Sequence, residues 1–388
     1  MPCGERTLSV ADILRDHLGE LQLSSEQGKA ASHLVACRTG QLGGHLAFCD
    51  TCGARHYAYH SCRNRHCPTC GGLDQRLWAE AQLQHLLPVS YFHVVFTVPA
   101  SLRPFFFARQ GRAEALDALF AAVSESILET TARRGLRPGV LAVLHTWNQK
   151  LDRHPHVHCL VTGGGLGPEG FVHRRRFLIP LKVLWPVFQG KLLGKLEALL
   201  DERKLSVPRD SAHELLRDAS RREWKIDIRR PLGGPEQVVN YFARYTRKIA
   251  ISDQRLVSYD GETVLFRYRD RKDKNRSKTA ALDATTFCQR FLQHVLPSRF
   301  VRIRRYGLLS NRVRGPLLAQ CREVLGAEPP LRLAPPGESR SEACLRIFGT
   351  DPTRCPTCKL GKLVVWAEWR ATRLPLDLVL ASLSPRAP

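Results

Sequence analysis

The run His154-Pro155-His156-Val157-His158-Cys159-Leu160-Val161 sets two histidines one residue apart among β-favouring residues. Side chains two apart on a strand point to the same face, so His156 and His158 present their imidazoles side by side, a bidentate grip for a divalent ion. Val157, Leu160 and Val161 give the strand an apolar part that can enter a core. Much further along, Tyr241 and Tyr245 recur at i,i+4 behind Pro235 and Glu236, a proline and an acidic residue of the kind that open helices. That spacing puts both phenols on one helix face with Cβ atoms about 6 Å apart. Lys248 falls one turn beyond Tyr245, on the side of Arg244. An ion held by the histidines would polarise a scissile phosphate as a Lewis acid and stabilise the charge developing on it. A tyrosine, whose free phenol has a pKa of about 10, would need the ion, Lys248 or a local base to become a nucleophile. The resulting phosphotyrosine stores the bond energy for rejoining, and two tyrosines permit two successive transfers.

The strands around the histidines decide what else can reach the ion. Val140 to Gln149 reads as the strand before the histidine strand, with a turn at Asp152-Arg153. If the two pair with an odd register sum, His145, Trp147 and Gln149 share the face of His156 and His158. His145, by donor chemistry, and Gln149, by closeness to the turn, are then both candidates for a third ligand. Tyr91 to Val98, dense in β-branched and aromatic residues and stopped by Pro99, is expected to be a central strand. Its His93 reads first as a buried strand histidine and second as a further ligand.

Thirteen cysteines supply another chemistry. Cys49 and Cys52, then Cys67 and Cys70, form two Cys-x2-Cys knuckles whose spacing suits one tetrahedral Zn²⁺. Cys62 and His66 remain between them and, with His45, are candidates to replace a knuckle ligand or hold a second metal. The segment is too small for an apolar core of its own, so metal binding is expected to supply its folding energy. Arg63 and Arg65, on the connecting loop, are placed to touch nucleic acid. A late pair, Cys355 and Cys358, forms half a zinc site, for which Cys321 and Cys344 are candidate partners.

A formal net charge of +23 over 388 residues points to a polyanionic partner. The charge is uneven: residues 1–100 carry 8 Lys+Arg against 8 Asp+Glu, whereas residues 201–315 carry 27 against 14. The basic part ends in Arg302, Arg304, Arg305, Arg312 and Arg314 with Tyr306 between, the interleaving of cations and a stacking ring expected at a single-strand contact. No apolar run approaches the roughly 20 residues of a membrane helix, and no secretory signal opens the chain, so a cytoplasmic location on the nucleoid is expected. Helices are expected over Leu8–Leu21, Ser25–Ala36, Leu73–Leu87, 105–134 and Phe177–Leu205. A short strand is expected at Trp224–Ile228 and a hairpin over Ser258–Arg269. A basic loop over Arg269–Lys278, a helix over Phe287–Leu296 and a linker over 327–342 follow. The fold class is α+β, divided into residues 1–88 (helical, zinc-binding, DNA-recognising), 89–315 (catalytic, with the basic region) and 316–388 (linker and Cys-x2-Cys tail).

Phe96-Thr97-Val98-Pro99, His156-Val157-His158 and Tyr241-x3-Tyr245 resemble, in this order, the three motifs of HUH endonucleases. With the zinc stretch Ser61 to Cys70 and Arg302-Ile303-Arg304-Arg305-Tyr306-Gly307-Leu308-Leu309, the chain resembles the two-tyrosine rolling-circle transposases of the insertion-sequence-ninety-one family over about residues 10 to 360. The resemblance implies an antiparallel sheet flanked by helices. It also implies nicking of single-stranded DNA at element ends, a 5′-phosphotyrosine, a free 3′-hydroxyl and a catalytic Mg²⁺ or Mn²⁺ beside the structural zinc. It does not carry over the third metal ligand. A plasmid or phage replication initiator or relaxase of the same chemistry, and a zinc-dependent DNA-binding regulator without activity, are the rival readings.

Overall fold

The computed structural model describes residues 8–174, 177–232, 237, 250–270, 272–328 and 334–370. Two capped helices open it: α1 (Val10–His17) and α2 (Ser25–Ala36), each begun by a serine, Ser9 and Ser24, in a reciprocal capping box. Strands β1 (Gly44–Cys49) and β2 (Arg55–Tyr59) follow, then helix α3 (Gly72–Leu83) and strand β3 (Tyr91–Thr97). Where the sequence suggests one long helix over 105–134, the chain makes α4 (Arg103–Phe106) and α5 (Arg112–Ala132). The break falls at Gly111, left-handed at φ +80°, where an added Cβ would lie 2.0 Å from the Lys204 carbonyl oxygen. From α5, Leu116, Leu119, Phe120, Val123 and Ile127 enter the core at helical spacing.

The remaining elements are β4 (Gly139–Trp147), β5 (Arg153–Thr162), β6 (Gly164–Gly167), β7 (Gly170–His173), α6 (Leu181–Asp201), α7 (Arg209–Ser220) and β8 (Ile226–Leu232). After these come β9 (Leu256–Tyr259), β10 (Thr263–Asp270), β11 (Arg276–Asp283), α8 (Ala284–Leu292), β12 (Ile303–Gly307), α9 (Arg314–Val324), α10 (Arg340–Phe348) and β13 (Leu363–Trp369). The basic loop expected over Arg269–Lys278 is the tip of a hairpin: β10 and β11 pair from Thr263↔Asp283 to Asp270↔Arg276, with a turn over residues 272–275 between them. Lys278 there is held by Asp270 and Asp273, both at 3.0 Å.

The central sheet is antiparallel, in the order β12-β4-β5-β3-β8, and helices flank both its faces. Alternation along each strand divides the residues between the two faces. Phe92, Val94 and Phe96 of β3 join Ala142 and Leu144 of β4 and Val157, Cys159 and Val161 of β5 in the main core, against α5, α6 and α7. There Phe96 meets Phe188 of α6 edge-on at 5.0 Å, and Phe188 meets Trp224 at 5.2 Å. The opposite face is apolar at one end, where Tyr91, Leu141, Val143 and Leu160 pack with Leu83 of α3 and Leu318 and Cys321 of α9. At its other end the same face carries histidines. Thus the sheet buries apolar surface over much of both faces and gathers the histidines at one end of one of them.

A second core joins α1 and α2 to Val264 and Phe266 of β10 and Phe287 and Phe291 of α8. The N-terminal helices therefore pack through apolar side chains on the β10–α8 unit that follows in the chain. Strand β13 returns from the C-terminal segment to pair with β1, in the order β13-β1-β2, so residues 363–369 do not form a free tail.

Candidate active site and metal centres

Strands β4 and β5 pair with His145 opposite His156 and Val143 opposite His158, the odd register sum on which a third ligand depends. The ligand atoms of His145, His156 and His158 lie within 4.8 Å of one another, in a group able to hold a metal ion. The three rings sit mutually tilted, with centroids 5.3 Å (145–156), 4.6 Å (145–158) and 4.8 Å (156–158) apart, so their nitrogens converge rather than stack. Gln149 does not join them. A register shift follows His145, and a turn held by Asn148 and Asp152 swings Gln149 toward the neighbouring hairpin. There its backbone carbonyl accepts from Arg255 at 2.5 Å and its side-chain oxygen from the Arg269 amide at 3.4 Å. Of the two third-ligand candidates, the geometry selects His145.

Hydrogen bonds orient the rings. His156 Nδ1 lies 2.6 Å from the His154 carbonyl oxygen, to which it donates, leaving Nε2 directed outward with its lone pair. His158 Nδ1 lies 2.8 Å from Nε2 of His93, whose ring runs parallel to it at 5.1 Å. His93, on the adjacent strand β3, is thus brought to the site as a support for His158 rather than into the three-ring group. Burial first, then the neighbouring His145, His156 and His93 rings, push the His158 pKa well below its ordinary value, so the ring is neutral, as a metal ligand must be. Next to this face, β8 sets Asp227 opposite Val95, and Asp227 accepts from Arg229 Nε at 3.1 Å.

Tyr241, Tyr245, Lys248 and Arg244 lie outside the described residues. The described residues nearest them are Gln237 before and Ala250 after, the latter in the apolar cluster that also contains Leu151 of the β4–β5 turn.

The cysteines divide differently from the expected single site over Cys49, Cys52, Cys67 and Cys70. Cys67 and Cys70 gather with Cys62 and Cys37, whereas Cys49 and Cys52 gather with Cys355 and Cys358. The physical reason is the β1–β2 hairpin, which carries the first knuckle away from the second and toward the strand returning from the C-terminus. In the first group Cys62 Sγ lies 3.7 Å from Cys70 Sγ, and the Cys62 amide donates to Cys37 Sγ at 3.5 Å. Hydrogen bonds from the Cys37 and Cys62 thiols lower the Cys67 pKa to about 7. Four buried or half-buried sulfurs in one group are the donor set of a closed, structural Zn²⁺. Cys37, at the end of α2 and 25 residues from Cys62, is the member that sequence reading does not single out.

His66 stands apart from both groups. Its Nδ1 meets Asn64 Oδ1 at 3.0 Å and its Nε2 accepts the Leu296 amide at 3.2 Å, so both ring nitrogens are spent. Burial, aided by Arg65, brings its pKa down to about 3. The partners expected for Cys355 and Cys358 are likewise elsewhere: Cys321 is buried on α9 in the second layer, and Cys344 belongs to α10.

Among the arginines expected to touch DNA, Arg63 is exposed on its loop, with φ +52°. The others described are engaged within the chain. Arg65 donates to the carbonyls of Phe300 (2.5 Å) and Pro297 (2.8 Å). Arg304 pairs with Asp117 and lies 4.3 Å from the Phe120 ring centre. Arg305 donates to Gln82 and, at 3.4 Å, to Asn311. The stretch expected as an open single-strand contact is edge strand β12, hydrogen-bonded to β4.

Residues 10–98 match the family described as "Transposase zinc-binding domain", and residues 139–315 match the family described as "Putative transposase". The first match encloses the Cys37/Cys62/Cys67/Cys70 group, and together they support structural zinc in this chain. The "Putative transposase y4qJ" of Sinorhizobium fredii is 39% identical over 380 residues, covering 92% of this chain and 94% of the relative. The "Transposase for insertion sequence element IS801" of Pseudomonas savastanoi pv. phaseolicola is 31% identical over 349 residues, covering 85% and 81%. No solved structure matches the chain. Among the described residues no helix is long and apolar enough to cross a membrane. With relatives matched over nearly their whole length, the chain belongs to the IS91 family of transposases, with that family's zinc-binding domain at its N-terminal end.

Proposed function

We propose that this transposase nicks and rejoins single-stranded DNA at the ends of a mobile element, through a 5′-phosphotyrosine, in rolling-circle-type transposition. The observation that carries the reading is the convergence of His145, His156 and His158 on the polar end of the sheet face. A divalent ion there, Mg²⁺ or Mn²⁺, would polarise the scissile phosphate. Three neutral nitrogens suit Mn²⁺ better than Mg²⁺, whose preference is for oxygen. The phenol oxygen of Tyr241 or Tyr245 attacks the phosphorus, the bond to the 3′ oxygen breaks, and that oxygen leaves as a hydroxyl after taking up a proton. The tyrosine keeps the 5′-phosphate until a 3′-hydroxyl attacks in turn and restores the phenol. Lys248 provides positive charge that favours the phenolate, and Arg63 and Arg244 contact DNA phosphates. Arg65, Arg304 and Arg305 serve DNA binding indirectly, by holding the zinc module and the edge strand in place. Catalytic residues thus belong to the span 89–315, between zinc-bearing ends.

The test is incubation of the full chain with end-labelled oligonucleotides spanning the termini of its element. Covalent protein–DNA adduct is expected on single strands with Mn²⁺, more weakly with Mg²⁺, and not with EDTA. If no adduct forms on any terminal strand with either ion, the reading fails and a regulator without activity takes its place. A second expectation concerns His93. Changing it to phenylalanine keeps a flat ring but removes the acceptor for His158 Nδ1, and should weaken ion affinity by about 10- to 100-fold. Raising Mn²⁺ should then restore the rate; an unchanged Mn²⁺ dependence would show that His93 only fills space.

A further inference from the structure

We propose that Cys49, Cys52, Cys355 and Cys358 bind a second structural zinc ion, closing one zinc ribbon from the two ends of the chain. The four sulfurs lie within 4.8 Å of one another. Cys49 Sγ and Cys358 Sγ, 309 residues apart in sequence, are separated by 3.6 Å, and Cys52 Sγ and Cys355 Sγ by 3.8 Å. A tetrahedral ion with Zn–S bonds of about 2.3 Å requires sulfurs about 3.8 Å apart, whereas a disulfide would bring them to about 2.05 Å. The observed spacing is that of metal ligands.

The two knuckles share one backbone design. The residue after each second cysteine is left-handed, Gly53 at φ +67° and Lys359 at φ +59°. Its amide bonds back to the carbonyl of the first cysteine at 3.0 Å in both, Gly53 to Cys49 and Lys359 to Cys355. The amide of each first cysteine reaches forward across its loop, Cys49 to the Ala54 carbonyl at 2.9 Å and Cys355 to that of Gly361 at 2.8 Å. Amides also point at sulfur: those of Thr51 and Cys52 at Cys49 Sγ, and that of Gly361 at Cys358 Sγ, all at 3.4 Å. Such donors favour the thiolate form that a zinc ligand needs. Packing around the group is close enough that a Cβ on Gly361 would stand 2.4 Å from Cys49 Sγ.

The sheet beside the knuckles completes the module. β13 pairs with β1 from Gly44↔Trp369 to Cys49↔Leu363, with Trp369 against Leu46 and Tyr59 as its small apolar core. So few buried side chains cannot hold two chain ends together alone, and metal-ligand bonds supply the missing stability. Cys355 and Cys358 lie beyond both matched spans, 10–98 and 139–315, so the C-terminal segment finishes a module that the N-terminal domain only begins.

Zinc released from the purified full chain by a mercurial thiol reagent reports thiolate-bound metal and leaves histidine-bound ions aside. Two equivalents per chain are expected, falling to one in the Cys355→Ser/Cys358→Ser variant. One equivalent from the unaltered chain, or no loss in the variant, would overturn the site. Should the variant fail to fold, alkylation of the unaltered protein decides. Cys49, Cys52, Cys355 and Cys358 are expected to resist iodoacetamide together until a chelator is added, and to become reactive together; Cys355 and Cys358 reacting equally fast with and without chelator would sink the proposal.

Discussion

His158→Ala is expected to slow formation of the covalent DNA adduct by at least about a thousandfold, a barrier increase of roughly 4 kcal/mol. The position explains the size of the effect. His158 sits on the middle strand of the five, opposite Val143 on one side and Val95 on the other, and is only 3% exposed. It is the ring that the other two approach, at 4.6 and 4.8 Å, and the one whose orientation His93 fixes. Stability should move the other way or hardly at all. Four imidazoles, 1–8% exposed, crowd one strip of the sheet, and burial keeps His158 neutral at a cost to the folded state. A residue that costs stability while serving chemistry gives this signature: thermal midpoint kept or raised, adduct lost. Adduct formed at a rate within threefold of the unaltered protein would remove His158 from the mechanism.

The paired histidines were legible because strand alternation is a local rule, and His145 followed once the hairpin register was odd. Gln149 was ruled out by something the pattern does not contain, the register shift after His145. The cysteine pairing was illegible for a different reason. Two Cys-x2-Cys knuckles close in sequence invite a shared ion, but the β1–β2 hairpin separates them, and the true neighbours of Cys49 and Cys52 arrive from 300-odd residues away with β13. Cys37 hid at the end of a helix with no motif around it. Arginine-rich sequence likewise says that positive charge is present, not where it is spent. Arg304 and Arg305 read as DNA contacts until β12 takes its place at the sheet edge and their guanidinium groups find Asp117 and Gln82. The helix expected over 105–134 shows the same limit, since the close approach of Lys204 that demands Gly111 is a tertiary fact.

Changing both Tyr241 and Tyr245 to phenylalanine should abolish the adduct, on the order of 10⁴-fold or more, while leaving binding of single-stranded DNA within about threefold. Phenylalanine keeps the ring and removes only the hydroxyl, so a loss confined to chemistry cannot be assigned to packing. The single variants separate the two roles. If one phenol opens the first strand and the other accepts the second transfer, one variant should lose all adduct and its counterpart should still form it but fail to rejoin. If the phenols are interchangeable, each single variant should keep about half the adduct and both should still rejoin. In the proposed mechanism the phenols and the ion serve the same phosphate, so the double tyrosine variant and His158→Ala should fail at the same step, with DNA bound and uncut. Adduct persisting in the double variant would show that another side chain is the nucleophile, and would leave the histidine group without the partner it is proposed to serve.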